Sequence, residues 1–200
     1  MIKQPVKVGV TGSIGMGKTT VALEISKHDY PVWNSDEVVH QLYNRGKLGY
    51  SIIKKIIPEA AVGLCVDRVI LSQKLLKFPD LIKKIEDEIH PVVNENQKSF
   101  LLEHLNKKLV IFDIPLLFET NCEEWLDCVI VVTAPLSVQK KRVLLRRGMT
   151  EEKLSFILSR QISNTKKVKK ADFVINTNCD YDVMVTTVHS VLESIINDYT

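Results

Sequence analysis

The residues Gly12-Ser13-Ile14-Gly15-Met16-Gly17-Lys18-Thr19 fit the spacing GxxxxGK followed by Ser or Thr, a pattern whose chemistry is the holding of phosphate. Its glycines let backbone N–H groups curl inward around phosphate oxygens, an approach that a Cβ atom would obstruct. Lys18 would reach the β and γ phosphates as a mobile point charge, and the Thr19 hydroxyl would join the oxygen ligands of Mg²⁺. A helix starting here would add the favourable end of its dipole. The nucleotide-binding set read from this segment is Gly12, Gly15, Met16, Gly17, Lys18, Thr19 and Thr20. A chance match somewhere in 200 residues is on the order of one per cent from average residue usage. The competing reading is a Gly-rich turn with no ligand.

A phosphate loop specifies a bound nucleotide and leaves the reaction open. A guanine-nucleotide switch would carry DxxG and NKxD, but no Asp of this chain is followed three residues later by Gly. The nearest approach to the guanine motif, Asn106-Lys107-Lys108-Leu109, lacks its Asp. Two carboxylates point to phosphoryl transfer instead. Asp36 follows a short strand, where it either accepts the proton of an attacking hydroxyl or caps a helix beginning at Glu37. Asp113 closes an apolar run, where it either contacts Mg²⁺ and substrate or starts the turn into Ile114-Pro115. The following Leu116, Leu117 and Phe118 are unusually apolar for a sheet-edge loop, and either pack inside or line an apolar substrate pocket. Gln139, Lys140, Lys141, Arg142, Arg146 and Arg147 crowd one expected helix, with Arg142 and Arg146 on one face. Arg142 is the candidate for stabilising the transferring phosphoryl group, against the alternative of a solvated basic face.

These residues need a scaffold, and the hydrophobic pattern supplies one. Val6–Thr11, Leu109–Asp113, Cys128–Thr133 and Phe173–Ile175 read as buried strands, with a shorter fifth at Pro31–Trp33. Helical spacing fills the stretches between them, which predicts a parallel sheet covered by helices on both faces. The first helix is expected to start within Gly15–Thr19 and run to about His28, facing the sheet with Val21, Ala22 and Ile25. Residues between Asp36 and Lys108 hold no convincing strand, only amphipathic helical patterns, and form a long insertion suited to a second substrate. A basic excursion, Pro135 to Lys170, divides at Arg147-Gly148-Met149, after which Thr150 can cap a helix with Glu151 and Glu152 in its first turn.

Composition narrows the class. At 45% apolar and 26% charged, the chain reads as one globular domain, and a net charge of +3 suits an anionic ligand without reaching a nucleic-acid-binding profile. Cys65, Cys122, Cys128 and Cys179 show no metal spacing and read as reduced, mostly buried thiols of a cytoplasmic protein. No apolar run approaches the roughly 20 residues that span a bilayer.

Taken together, the chain resembles the dephospho-coenzyme A kinase family over nearly its full length. The resemblance runs through Val10 to Thr20, Val32-Trp33-Asn34-Ser35-Asp36, Ile89-His90-Pro91, Asp113-Ile114-Pro115-Leu116-Leu117-Phe118-Glu119, Gln139 to Arg142 and Ala171 to Asn176. It implies ATP and dephospho-CoA as small-molecule substrates, Mg²⁺ as cofactor, and phosphorylation of the ribose 3′-hydroxyl as the last step of coenzyme A synthesis. It also implies an α/β fold of the P-loop NTPase type, three-layered around a five-stranded parallel sheet. The core would span about residues 1–35, 106–134 and 171–200, the helical CoA-binding insertion about 36–105 and the lid about 135–170 of a single kinase domain. Asp36 aligns with the second Asp of the family's DAD triplet and so becomes the expected general base. Asn34 stands where the first Asp of the triplet is usual, and His40 where many members have Arg, so His40 is a weaker phosphate contact near neutral pH. His90 gains a substrate-side role through the resemblance, against a structural helix-terminal His before proline. Asn176 falls where the adenine-contacting loop is expected, although the usual Gly of that loop is missing. Expected partners are small molecules, with no nucleic acid and no membrane, for a monomer or small homo-oligomer. Another P-loop small-molecule or nucleoside monophosphate kinase, and a non-catalytic nucleotide-binding regulator, are the rival readings.

Overall fold

Val6–Thr11, Val32–Asn34, Leu109–Asp113, Cys128–Thr133 and Phe173–Asn176 form strands β1 to β5 of one sheet in the computed structural model, which describes residues 4–199. The spatial order is β2-β3-β1-β4-β5. β1 pairs parallel with β3 and β4, and β4 with β5, so that Val10 lies opposite both Asp113 and Ile130. Every residue of β3 is buried, as a strand covered on both faces requires, and this is why the strand reads as an unbroken apolar run. The fold is thus the expected α/β arrangement, a five-stranded parallel sheet with helices. The second strand sits one residue later than the sequence predicts, and the last extends through Asn176.

Nine α-helices occur among the described residues: α1 (Lys18–Ser26), α2 (Ser35–Leu42), α3 (Leu48–Ile56), α4 (Arg68–Lys77), α5 (Asp80–Glu103), α6 (Leu136–Leu144), α7 (Glu151–Ser159), α8 (Asn164–Lys170) and α9 (Tyr181–Tyr199). α1 buries Val21, Ala22 and Ile25, the stripe expected from its spacing. α9 is rich in Val and Thr between Val183 and Val188, residues that each disfavour helix by a few tenths of a kcal/mol, about 0.5. Met184, Val188, Leu192 and Ile195 make one buried stripe against Val8, Ile130 and Ile175. Burial at about 1.5–3 kcal/mol per such side chain outweighs the poor propensity.

The chain divides into two compact units, one comprising residues up to Trp33 together with Glu103 onward, the other Asn34–Leu102. The first holds the sheet. The second is helical apart from Asn34, the last residue of β2, and the isolated bridge between Asn44 and Cys65. Buried Tyr50 donates to the carbonyls of Ala61 (2.7 Å) and Gly63 (2.9 Å), fixing the turn that follows α3. Asp67 caps α4 by accepting from the amides of Val69 and Ile70. Ile82, Ile85, Ile89 and Val93 form the buried stripe of α5.

That stripe corrects one expectation: the helix does not end at His90, but continues through Pro91 to Glu103. Proline forfeits one backbone hydrogen bond, and the apolar stripe continuing on both sides of it holds the turn regardless. The cysteines require a second correction. All four are free, but Cys128 alone is buried, Cys122 is intermediate, and Cys65 and Cys179 are exposed. Burial in β4, with the negative charges of Asp172 and Asp127 behind it, pushes the Cys128 thiol up to about 12. A colorimetric thiol titration near pH 8 should therefore find Cys65 and Cys179 reacting fast and Cys128 silent until the protein is unfolded. Among the described residues, no helix is long and apolar enough to cross a membrane.

Candidate active site

β1 delivers the chain to Thr11 and α1 resumes at Lys18, so the intervening loop must reverse within a few residues. Gly15 (φ 78°) and Gly17 (φ 90°) take left-handed conformations to do so. Gly17 is demanded twice, because a Cβ there would also lie 2.8 Å from Thr177 Oγ1. Within the loop the Met16 amide donates to the Ser13 carbonyl (3.1 Å). The Met16 side chain is fully buried and its sulfur accepts from the Ala134 amide (3.1 Å), which anchors the loop to the end of β4. The Met16 side chain is thus committed to packing. Gln139 donates to the Ile14 carbonyl (2.8 Å) and Gln161 accepts from the Ile14 amide (3.2 Å), clamping the loop from α6 and from the segment after α7.

Lys18, at the first position of α1, is ion-paired with Asp113, the last residue of β3. Asp113 is 1% exposed and Lys18 13%. The sheet register explains the meeting, since Asp113 stands beside Val10, two residues before Gly12. Thr19 and Thr20 follow in the first turn of α1 and are exposed. Among the described residues no group of three or more His, Cys, Asp or Glu is placed to hold a metal ion. The Thr19 hydroxyl and Asp113 carboxylate are hard oxygen donors of the kind Mg²⁺ takes when phosphates and waters complete its shell, so the residues present fit that ion.

Arg142 faces this loop from α6, and donates to Thr177 Oγ1 and to the Thr177 carbonyl, both at 2.8 Å. Thr177 Oγ1 in turn donates to the Met16 carbonyl (2.8 Å). One threonine thereby joins the arginine to the phosphate loop. Arg146 and Arg147 do not share the helix with Arg142, contrary to the sequence reading: α6 ends at Leu144, and both are exposed in the turn before Gly148 (φ 77°). α7 starts as expected, with Thr150 accepting from the Lys153 amide (3.2 Å). Asn176 ends β5 and folds the following turn by accepting from the Asn178 amide (2.9 Å). Its neighbour Thr177 makes the contacts to the loop that sequence reasoning missed, and Gln161 was missed with it. Their one local signal is a polar side chain just beyond the end of a strand or helix.

Of the apolar segment after Asp113, Leu116 is half-buried, Leu117 fully buried and Phe118 5% exposed. Leu117 packs directly against Gly9 of β1, and Lys170 lies 5.1 Å from the Phe118 ring centre.

In the helical unit, Asn34 is the N-cap of α2, its side chain accepting from the Glu37 amide (3.0 Å). The helix accordingly begins at Ser35 and not at Glu37, and capping is not the work of Asp36. Asp36 is exposed in the first turn, where the helix dipole favours its charge, and His40 is exposed one turn further on. His90 is exposed on α5.

Residues 6–182 match the family model described as Dephospho-CoA kinase. The chain is 39% identical over 193 residues to the dephospho-CoA kinase of Bartonella quintana, covering 96% of this chain and 98% of that one. A crystal structure from Thermus thermophilus superposes with a TM-score of 0.82 at 30% identity, covering 99% of this chain and 100% of that one. A shikimate kinase from Acinetobacter baumannii shares the fold at 18% identity, with a TM-score of 0.55 over 98% of this chain and 96% of that one. The matched span includes the phosphate loop, Asp113, Arg142 and Thr177 alike, and the chain belongs to the dephospho-CoA kinase family.

Proposed function

We propose that the chain phosphorylates the ribose 3′-hydroxyl of dephospho-CoA with ATP, giving coenzyme A and ADP, and that the division of labour follows its two units. Family membership carries the overall reaction, ATP-dependent phosphorylation of dephospho-CoA in coenzyme A biosynthesis. The observation that best supports the mechanism is the phosphate loop with Lys18 and Asp113 meeting at its mouth. Gly12, Gly15, Gly17 and the backbone at Met16 cradle the triphosphate, Lys18 holds its β and γ groups, and Thr20 closes the first turn beneath them. Mg²⁺ bound with the nucleotide would neutralise charge on the phosphate oxygens, held by Thr19 and Asp113.

Residues 36–105 act as the CoA-binding insertion and 135–170 as the lid, around a core of 1–35, 106–134 and 171–200. Asp36 is the general base for the 3′-hydroxyl, a role supported by its exposed carboxylate at the start of α2 and by Asn34 having taken the capping duty. His40 and His90 contact the substrate from the helical unit. In the sheet-bearing unit, Leu116 is the accessible part of the apolar segment that follows Asp113. Asn176 borders the base of ATP. The protein works in the cytoplasm on small molecules, as a monomer or small homo-oligomer, apart from nucleic acid and membranes.

Arg142 stabilises the transferring group. Two of the five N–H donors of its guanidinium are used on Thr177, which orients the fork and leaves other donors for phosphate. Arg142→Ala should lower kcat by about 10²-fold while raising the KM for ATP far less, and Arg142→Lys should restore part of the loss. Steady-state kinetics of the three proteins check this, and an equal change in kcat and KM would make Arg142 a ground-state contact. A substrate panel with ATP and Mg²⁺ tests the function itself. Dephospho-CoA should be turned over far better than nucleoside monophosphates or small sugar acids, and a preference for any of these would reject the reading.

A further inference from the structure

α8 carries a run of lysines, Lys166, Lys167, Lys169 and Lys170, that reads as a solvated basic face, yet Lys167 has no exposed surface. Its ammonium donates to Glu119 Oε2 (3.1 Å) and to the Pro115 carbonyl (3.3 Å), and lies 2.9 Å from Glu119 Oε1. Glu119 Oε1 also accepts from the Ile162 amide (2.8 Å), so the α7–α8 connection is pinned to the same carboxylate. The Pro115 carbonyl accepts a second bond, from Thr11 Oγ1 (3.2 Å). Thr11 is the last residue of β1, next to Gly12, and Asp113 stands two residues before Pro115.

A buried ion pair contributes little net stability, and an apolar pair of the same volume often serves the fold as well. Stability alone therefore gives no reason for this one. What an apolar pair could not do is hold the Pro115 carbonyl and the Glu119 carboxylate at the two ends of the segment that leaves Asp113. We propose that Lys167 is a positioning residue for phosphoryl transfer: with Glu119 it fixes the segment after β3, and through Pro115 and Thr11 it sets the Asp113 carboxylate against Lys18 and the Mg²⁺ of the nucleotide. Burial pushes the Lys167 ammonium below its ordinary value, Glu119 draws it back up, and the charge of Lys18 adds to the lowering. Pairing with Glu119 cancels the charge of Lys167 and leaves Asp113 as the partner of Lys18.

The inference rests on the reading of Asp113 as a residue facing metal and phosphate, and its test separates the two. Lys167→Met alone would strand the Glu119 carboxylate in the interior, so the informative variant is Lys167→Met with Glu119→Gln, which removes both charges and keeps an acceptor for Ile162. Thr11→Val provides a second route, cutting the Thr11–Pro115 bond without touching the ion pair. ATP affinity is measured by calorimetry with Mg²⁺ and again in EDTA, without dephospho-CoA, beside Asp113→Asn. The double variant should lose about tenfold in affinity with Mg²⁺, the loss expected when the support of a metal ligand is removed, and Thr11→Val less in the same sense. Affinity in EDTA should be no weaker than that of the unmodified protein. Unchanged Mg²⁺-dependent affinity in both variants, beside a loss in Asp113→Asn, overturns the inference and leaves the Asp113 reading standing. Equal losses with and without Mg²⁺ also overturn it, since they mean a general distortion of the loop. No effect of Asp113→Asn overturns both.

Discussion

Lys18→Ala should lower turnover by about 10²–10³-fold, the loss typical when one preorganised donor to developing charge is removed, and should weaken triphosphate binding as well. The structure adds a complication absent from the motif. Lys18 is an ion partner of Asp113, whose carboxylate is 1% exposed, and its removal takes that cation away from a buried charge. Breaking a buried ion pair costs on the order of 3 kcal/mol, enough to lower the thermal midpoint by several degrees. The single variant therefore mixes a catalytic loss with a folding loss. Adding Asp113→Asn separates them, because the neutral amide no longer needs a cation: the thermal midpoint should recover and turnover should not. Thermal unfolding and single-turnover rates of the single and double variants check both halves. Near-normal turnover in a folded Lys18→Ala protein would remove the phosphate-loop assignment altogether.

Asp36→Asn should lower kcat by about 10²–10⁴-fold, the range for lost general-base catalysis, while ATP affinity stays the same. Because Asn34 caps α2, the substitution takes only a charge from the first turn of the helix, where it is worth about 0.3–1 kcal/mol. Asn34→Ala is the matching control. It removes the bond to the Glu37 amide and should cost about 1 kcal/mol of stability with little effect on kcat. The two neighbours thus have opposite signatures, one in turnover and one in unfolding. Kinetics and thermal unfolding of both variants decide, and intact turnover in Asp36→Asn would end its assignment as base.

The expectations that survive the structure are those with a local physical cause. β1, β3 and β4 run over the same residues that the apolar runs predict, because strands covered on both faces are mostly apolar, with half-buried Lys7 an exception in β1. The phosphate loop was legible because its glycines and its lysine are spaced by backbone geometry. The start of α2 was not, since Asn34, Ser35 and Asp36 are three consecutive residues able to cap, and the pattern cannot choose among them. Pro91 misled for a different reason: its local signal is a helix stop, and the buried stripe from Ile82 to Val93 overrides it. Thr177 and Gln161 meet the phosphate loop across 161 and 147 residues of sequence, a distance over which side-chain spacing carries no information. Lys167 was hidden by its neighbours, because only the phase of α8 in the folded chain decides which lysine of the run turns inward.

The γ-phosphoryl group of ATP should move to the ribose 3′-hydroxyl of dephospho-CoA. The most direct measurement incubates the purified protein with dephospho-CoA, ATP and Mg²⁺ and follows both products by mass spectrometry with fragmentation. One ADP should form for each acceptor phosphorylated, with the new phosphate on the 3′ position of the ribose, and no product should appear from the Asp36→Asn variant on the same timescale. ATP consumed without change to dephospho-CoA, or a phosphate placed elsewhere on the acceptor, would contradict this transfer.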